Sequence, residues 1–102
     1  MVIYKNETAV GCGGFKQFDS NTAEIKRMFV HPDHRNKGLA KTILQELENL
    51  AKEDNYQNYI LETSPKLETA ISLYSKFGCV LIPNFGQYIG VENSVCLKKR
   101  II

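Results

Sequence analysis

The spacing of apolar residues along this chain first changes within the stretch VHPDHRNKGLAKTIL, from Val30 to Leu44. Before this stretch, short apolar segments are separated by polar turns, which predicts strands joined in an antiparallel meander. From Gly38 onward, apolar residues recur every three or four positions, which predicts an amphipathic helix. A chain of 102 residues with this pattern is expected to form one α/β domain over residues 1–102.

The remaining segments complete an expected order of ββ-β-α-β-α-β-β. The first helix starts at Gly38, ends near Asp54 and has an apolar face of Leu39, Ile43, Leu47 and Leu50, with Glu48 on its polar side. The second helix has an apolar face of Leu67, Ala70, Ile71, Tyr74 and Phe77 and is closed by Gly78. Strands are predicted at Val2–Tyr4, Ala9–Phe18, Ala23–Val30, Tyr59–Thr63, Cys79–Ile82 and Ser94–Leu97. The expected fold class is α/β (α+β), a mixed, mostly antiparallel central sheet with two main helices, in which Ser94–Leu97 is a terminal edge strand.

Composition limits the possible classes of function. The net charge of +2 is too small to favour nucleic acid as a partner. No apolar run reaches the ~18 residues that a membrane span needs, so no membrane partner is expected. Cys12, Cys79 and Cys96 form no CxxC pair, which is typical of thiols in a reducing, cytoplasmic compartment. The His, Cys and Asp residues do not have the spacing of metal ligands, so no metal is expected.

The start of the first helix has the features of an anion-binding site. The first N–H groups of a helix have no intrahelical partners, and the helix dipole places partial positive charge there. Gly38 permits close approach of an anion to the backbone, and Arg35 and Lys37 add positive charge beside it. Taken alone, the motif favours a solvated cationic loop that only connects a strand to a helix, because motifs this short have many false positives.

The segment Arg35-Asn36-Lys37-Gly38-Leu39-Ala40 resembles R/Q-x-x-G-x-G/A, the pyrophosphate-binding loop of the GNAT superfamily of acyl-CoA-dependent N-acyltransferases. The flanking segments AEIKRMFVHPDH and KTILQELENLAK are similar to the strand and helix on either side of that loop, and ETAISLYSKFGC resembles the family's next helix. This resemblance implies the GNAT fold. It also implies acetyl-CoA as the donor, with coenzyme A as the product, and direct attack by an amine acceptor.

The resemblance also implies positions for the donor. The strand ahead of the loop diverges from its parallel neighbour in this family, and the pantetheine arm lies in the gap against the backbone of Met28, Phe29 and Val30. The loop and first helical turn would hold the pyrophosphate through Arg35, Asn36, Lys37, Gly38, Leu39, Ala40 and Lys41.

Two catalytic roles are implied by the same resemblance. Tyr74 matches the tyrosine that protonates the departing thiolate, although its position on the apolar helix face also fits simple core packing. Glu24 is the candidate general base, because an amine must lose a proton before it attacks. Strand alternation is expected to place Glu24, Lys26, Met28 and Val30 on one face of the sheet. The competing interpretation of Glu24 is a solvent-facing glutamate paired with Lys26 or Arg27.

The expected partner is a small-molecule or peptide amine. Members of this family usually begin with a strand and two helices that have no counterpart here, and from this a homodimer is expected, in which each subunit covers an apolar face of the other. A catalytically weak acyl-CoA-binding sensor or subunit module is the alternative function. A small nucleic-acid-binding domain is a third interpretation, which requires a strongly salt-dependent affinity.

Overall fold

The computed structural model describes residues 2–5, 8–31 and 38–102. Its strands are β1 (Val2–Lys5), β2 (Thr8–Asp19), β3 (Thr22–Val30), β4 (Asn58–Thr63), β5 (Val80–Ile82) and β6 (Val95–Arg100). Its α-helices are α1 (Leu39–Glu53) and α2 (Glu68–Lys76), and a 3-10 turn covers Gly86–Tyr88. The expected order and fold class are confirmed, with α1 ending one residue before Asp54.

The strands form one six-stranded sheet in the order β1-β2-β3-β4-β6-β5. Neighbouring strands are antiparallel except for β3 and β4, which are parallel. The expectation that Ser94–Leu97 forms a terminal edge strand is wrong, because β6 lies between β4 and β5. The segment that contains α2 places β5 two strand positions from β4, and β6 then occupies the position between them, antiparallel to both. The edge at this side of the sheet is therefore β5.

Both helices pack on one face of the sheet, which we call the helical face. The core there combines side chains of β3, β4 and β6 with those of α1, α2 and Cys79: Ala23, Ile25, Ile43, Leu44, Leu47, Ala51, Tyr59, Leu61, Tyr74, Cys79 and Leu97. The opposite face, which we call the open face, contains Glu24, Lys26 and Cys96 and is crossed by the loop 83–94. None of the described helices is long and apolar enough to span a bilayer.

The buried side of α1 is rotated relative to the expected one. Ile43, Leu44, Leu47, Glu48 and Ala51 are buried, whereas Leu50 is 41% exposed. The assignments of Leu50 to the buried face and Glu48 to the polar face are therefore wrong. Glu48 is accommodated because the Lys99 ammonium lies 2.8 Å from its carboxylate.

A β-bulge interrupts β3 next to β2. Cys12 pairs with Phe29 and Gly14 pairs with Lys26, so β3 has one more residue than β2 between these two pairs. The extra residue reverses the alternation of side chains beyond it. Val30 accordingly packs against the core cluster on the helical face, and the expectation that it shares a face with Glu24 is wrong.

Candidate active site

The parallel pairing of β3 with β4 is short and leaves a gap in the sheet. Within the described strands it joins three residue pairs, Thr22 with Asn58, Ala23 with Tyr59 and Glu24 with Ile60. Both strands continue beyond the last pair, β3 to Val30 and β4 to Thr63. This is the divergence that the family resemblance implies. The backbone of Met28, Phe29 and Val30 lies on the β3 side of the gap, beyond Glu24.

The N-terminus of α1 presents backbone groups without an acidic neighbour. Gly38 is the N-cap with φ 79°, no side chain caps the helix, and no acidic residue occupies its first turn. A Cβ atom built on Gly38 would have open space around it. Leu39 and Ala40 are half-buried and Lys41 is exposed in that first turn. The predicted loop residues Arg35, Asn36 and Lys37 lie outside the described residues.

Tyr74 is placed by a well-formed helix end. After α2, the Gly78 N–H donates to the Ser75 carbonyl and the Cys79 N–H donates to the Tyr74 carbonyl, with Gly78 at φ 103°. This is a Schellman motif, which glycine favours because of its positive φ. Tyr74 is 8% exposed and packs in the core with Tyr59 and Cys79. Burial, followed by the nearby Cys79 thiol, raises the pKa of the Tyr74 hydroxyl.

Glu24 is buried and is paired with two lysines. Its side chain is 7% exposed, with the Lys26 ammonium 2.9 Å from Oε2 and the Lys16 ammonium 4.0 Å from Oε1. The competing interpretation was therefore correct about a Lys26 partner and wrong about solvent exposure. A hydrogen bond from Lys26 to the Tyr88 hydroxyl, then its contact with Glu24, raises the pKa of Lys26. Lys26 is thus held as a cation against Glu24.

The loop 83–94 supplies site residues that the sequence did not identify. Lys26 Nζ donates to the Tyr88 hydroxyl oxygen at 3.0 Å, and Asn84 Nδ2 donates to the carbonyls of Tyr88 and Val91, both at 3.0 Å. Phe85 packs edge-on against Phe18 and Tyr88. Aromatic residues in a Gly- and Asn-rich loop were the available signal, because a purely solvated loop has no need of them.

Glu24 and Tyr74 lie on opposite faces of the sheet. Ala23 and Ile25 point into the core that contains Tyr74, so alternation directs the Glu24 side chain to the open face. Glu24 also belongs to the last residue pair before the gap. A carboxylate on the open face therefore borders the start of the gap, whereas the phenol lies in the core of the helical face. Among the described residues, no group of three or more His, Cys, Asp or Glu side chains is arranged to hold a metal ion.

Sequence comparison identifies relatives with one shared chemistry. A family model described as Acetyltransferase (GNAT) family matches residues 1–79. The chain is 33% identical over 100 residues to the uncharacterized N-acetyltransferase YsnE of Bacillus subtilis (strain 168). The aligned region covers 96% of this chain and 66% of that protein. The chain spans between 32% and 66% of the length of six curated relatives that it matches.

Solved structures share the same fold. A Klebsiella pneumoniae protein assigned to the acyl-CoA N-acyltransferases superposes with a TM-score of 0.92 at 29% identity, over 99% of this chain and 70% of that one. A GNAT family acetyltransferase from Elizabethkingia anophelis, crystallised with acetyl-CoA bound, gives a TM-score of 0.84 at 20% identity, over 97% of this chain and 73% of that one.

Proposed function

This chain belongs to the acetyltransferase (GNAT) family, and from that premise we propose that it is an N-acetyltransferase that transfers an acetyl group from acetyl-CoA to an amine. Residues 1–102 act as one domain in this proposal. The observation that carries it is the gap between β3 and β4, with Glu24 on one face and Tyr74 on the other. An acyl-CoA sensor would need the gap alone, whereas the two flanking groups serve proton transfer.

The donor is proposed to lie in the gap and against α1. The backbone of Met28, Phe29 and Val30 would bind its extended arm, and the amides of Gly38, Leu39, Ala40 and Lys41 would bind its pyrophosphate, with Arg35, Asn36 and Lys37 completing the loop. The residues fit this role because the N-terminus of α1 is uncapped, has no acidic residue in its first turn and has open space over Gly38.

A variant pair tests the donor site. Gly38→Glu places a carboxylate where the pyrophosphate would meet the amides, and it should abolish measurable binding of coenzyme A in calorimetry. Gly38→Asn is the matched control, because asparagine tolerates a positive φ and adds no charge. It should retain affinity within several-fold. Undiminished affinity in a folded Gly38→Glu variant would contradict the assignment.

The proposed chemistry uses a proton acceptor and a proton donor. Acetyl-CoA supplies a thioester carbon that an amine attacks directly, with the C–N bond forming as the C–S bond breaks. Glu24 accepts the proton that the acceptor ammonium must lose, directly or through water. Tyr74 donates its proton to the departing sulfur and is reprotonated by the second proton leaving the nitrogen. The raised pKa of Tyr74 keeps this hydroxyl protonated at neutral pH.

Turnover with candidate amines tests the activity. Release of the coenzyme A thiol is measured with amino acids, polyamines and peptide N-termini as acceptors, and Glu24→Gln should lower kcat by about 10²-fold. Glu46→Gln, an exposed carboxylate on α1, is the control. Donor binding without transfer to any amine would favour the sensor alternative.

The location and oligomeric state are proposed on separate grounds. Cys79 and Cys96 are buried free thiols, a state that the reducing cytoplasm maintains. Val80 and Leu81, on the edge strand β5, are 62% and 67% exposed. Consecutive apolar side chains on an edge strand favour contact with another chain, and the simplest arrangement is a two-fold homodimer.

A further inference from the structure

The open face carries a cleft of about 240 Å³ beside Glu24. Residues from β2, β3 and the loop 83–94 line it: Lys16, Gln17, Phe18, Glu24, Phe85, Gly86, Gln87 and Tyr88. Among the described residues, Glu24 is the only acidic one that lines it, and Glu24 is also a member of the last residue pair before the gap. The cleft extends from Glu24 toward the turn between β2 and β3, because Lys16 and Gln17 pair with Glu24 and Ala23. Glu24 therefore lies between the cleft and the gap.

The charged residues among the described lining of the cleft are one of each sign, Lys16 and Glu24. The Lys16 and Lys26 ammonium groups lie 4.0 Å and 2.9 Å from the carboxylate of Glu24. Lys26 is engaged by Glu24 and by the Tyr88 hydroxyl. Lys16 is 64% exposed and 4.0 Å from Glu24 Oε1, so its ammonium is only loosely held. Of the neighbouring acids, Glu62 accepts a hydrogen bond from Ser94 and Asp19 accepts one from the Asn21 N–H, and neither lines the cleft.

An aromatic wall closes the other side of the cleft. The rings of Phe18 and Phe85 lie 5.4 Å apart and those of Phe85 and Tyr88 lie 5.5 Å apart, both edge to face. Phe18 remains 44% exposed, so part of its ring is available to a ligand. Aromatic surface of this kind binds an apolar or aromatic side group.

We propose, resting on the function proposed above, that the acceptor is an amino acid with an apolar or aromatic side chain, acetylated on its α-amine. Its carboxylate binds the Lys16 ammonium, its amine faces Glu24 Oε1, and its side chain packs against Phe18 and Phe85. The cation and the anion that line the cleft thus match the two charges of a zwitterionic amino acid. A simple amine contacts Glu24 and leaves Lys16 without an anionic ligand group. A polyamine places a second cation beside Lys16 and is disfavoured.

The test compares acceptors that differ in one group. Phenylalanine and phenethylamine share the amine and the ring, and only phenylalanine has the carboxylate. We expect kcat/KM to be at least about tenfold higher for phenylalanine, the effect of one charge-assisted hydrogen bond. Lys16→Gln should reduce this ratio to about one, whereas Lys52→Gln, an exposed lysine on α1 remote from the cleft, should retain it. Equal kcat/KM for the two acceptors in the unmodified protein would overturn the proposal.

A binding measurement separates this inference from the proposed activity. Calorimetry with N-acetylphenylalanine should give an affinity at least about tenfold above that of N-acetylphenethylamine, and Lys16→Gln should abolish the difference. Selective binding without transfer to any amine would refute the activity and retain the recognition of the carboxylate. Transfer with no selectivity in either measurement would retain the activity and refute the amino-acid acceptor. In the latter case the contacts of Lys16 and Lys26 with Glu24, and of Lys26 with Tyr88, would have a structural role only.

Discussion

At the scale of single residues, the proposed chemistry depends on a phenol that stays protonated inside the core. Desolvation disfavours the charged form of an acid, so a buried tyrosine retains its proton to a higher pH than one in water. Tyr74 is in this situation, so burial retains the proton that its proposed role as donor requires. Since the ring also contributes to the core, the role of the hydroxyl must be separated from that of the ring.

Tyr74→Phe makes that separation. The variant keeps the ring and removes the proton donor, so kcat should fall by about 10²-fold while the affinity for acetyl-CoA changes little. Tyr56→Phe removes a hydroxyl from a half-buried ring elsewhere and should leave kcat unchanged. Steady-state kinetics with coenzyme A release as the readout measures both. Full activity in Tyr74→Phe would reduce Tyr74 to a packing residue.

A second residue-scale prediction concerns stability at alkaline pH. Burial, and then a 3.5 Å contact with the Cys79 thiol, raises the pKa of Tyr59. Its contribution to stability is complete below the ordinary tyrosine pKa of about 10, and it is lost above that pH, because the unfolded chain then loses the proton first. Urea midpoints should therefore decline above about pH 10, and Tyr59→Phe should make the decline shallower. Identical pH profiles for the two proteins would contradict the assignment.

At the scale of elements, α1 is anchored to β6 by a buried ion pair. Glu48 is 4% exposed, and the Lys99 ammonium lies 2.8 Å from its carboxylate and 4.4 Å from the centre of the Phe77 ring. Removing one partner of such a pair leaves a buried charge without compensation, whereas replacing both with apolar residues is often neutral. The helix should therefore tolerate loss of the pair better than loss of Lys99 alone.

The single and double variants test this argument. Lys99→Met should lower the free energy of unfolding by about 3 kcal/mol, and Glu48→Met combined with Lys99→Met should recover most of that loss. Urea denaturation at neutral pH measures both values. A double variant that is less stable than Lys99→Met would show that the carboxylate of Glu48 has another stabilising role.

The elements themselves could be predicted from the sequence, because their apolar spacing is a local property. Three features could not be predicted, because each depends on a residue distant in sequence. Glu48 is buried only because Lys99 reaches it from β6. The bulge in β3 reverses the face of Val30, and the one local hint was the glycine-rich segment of β2 that lies opposite. The position of β6 between β4 and β5 follows from strand pairing.

In the candidate site too, some residues could be identified from the sequence and others could not. Resemblance to the GNAT family supplied Gly38, Glu24 and Tyr74 as candidate residues, and their roles stay predictions. Glu24 lies in the last residue pair before the gap, Gly38 is the N-cap of α1 and Tyr74 lies in the core. Lys26 and Tyr88 were not identified as site residues, since 62 residues separate them and their 3.0 Å hydrogen bond exists only in the folded chain. In the proposed function, residues of this region contact the acceptor, so its specificity was less accessible from the sequence than the choice of donor.

At the scale of the whole molecule, the exposed edge of the sheet predicts self-association. If β5 mediates the proposed homodimer, Leu81→Lys should shift the protein to a monomer, because a charge on an edge strand opposes strand pairing. Leu67→Lys introduces the same charge at an exposed position beside α2 and should leave the dimer intact. Light scattering at micromolar concentration measures the mass of each. A monomeric unmodified protein would contradict the proposal.

The short pairing of β3 with β4 also has a mechanical meaning. The sheet has two halves, one formed by β1, β2 and β3 and the other by β4, β6 and β5. Three residue pairs between β3 and β4, at one end of these strands, join the two halves. A molecule that binds both β3 and β4 across the gap fixes the angle between the two halves of the sheet. Inhibitors that bind both β3 and β4 should therefore reduce bending of the whole sheet. Compounds that bind only one of these strands leave the sheet able to bend where β3 and β4 meet.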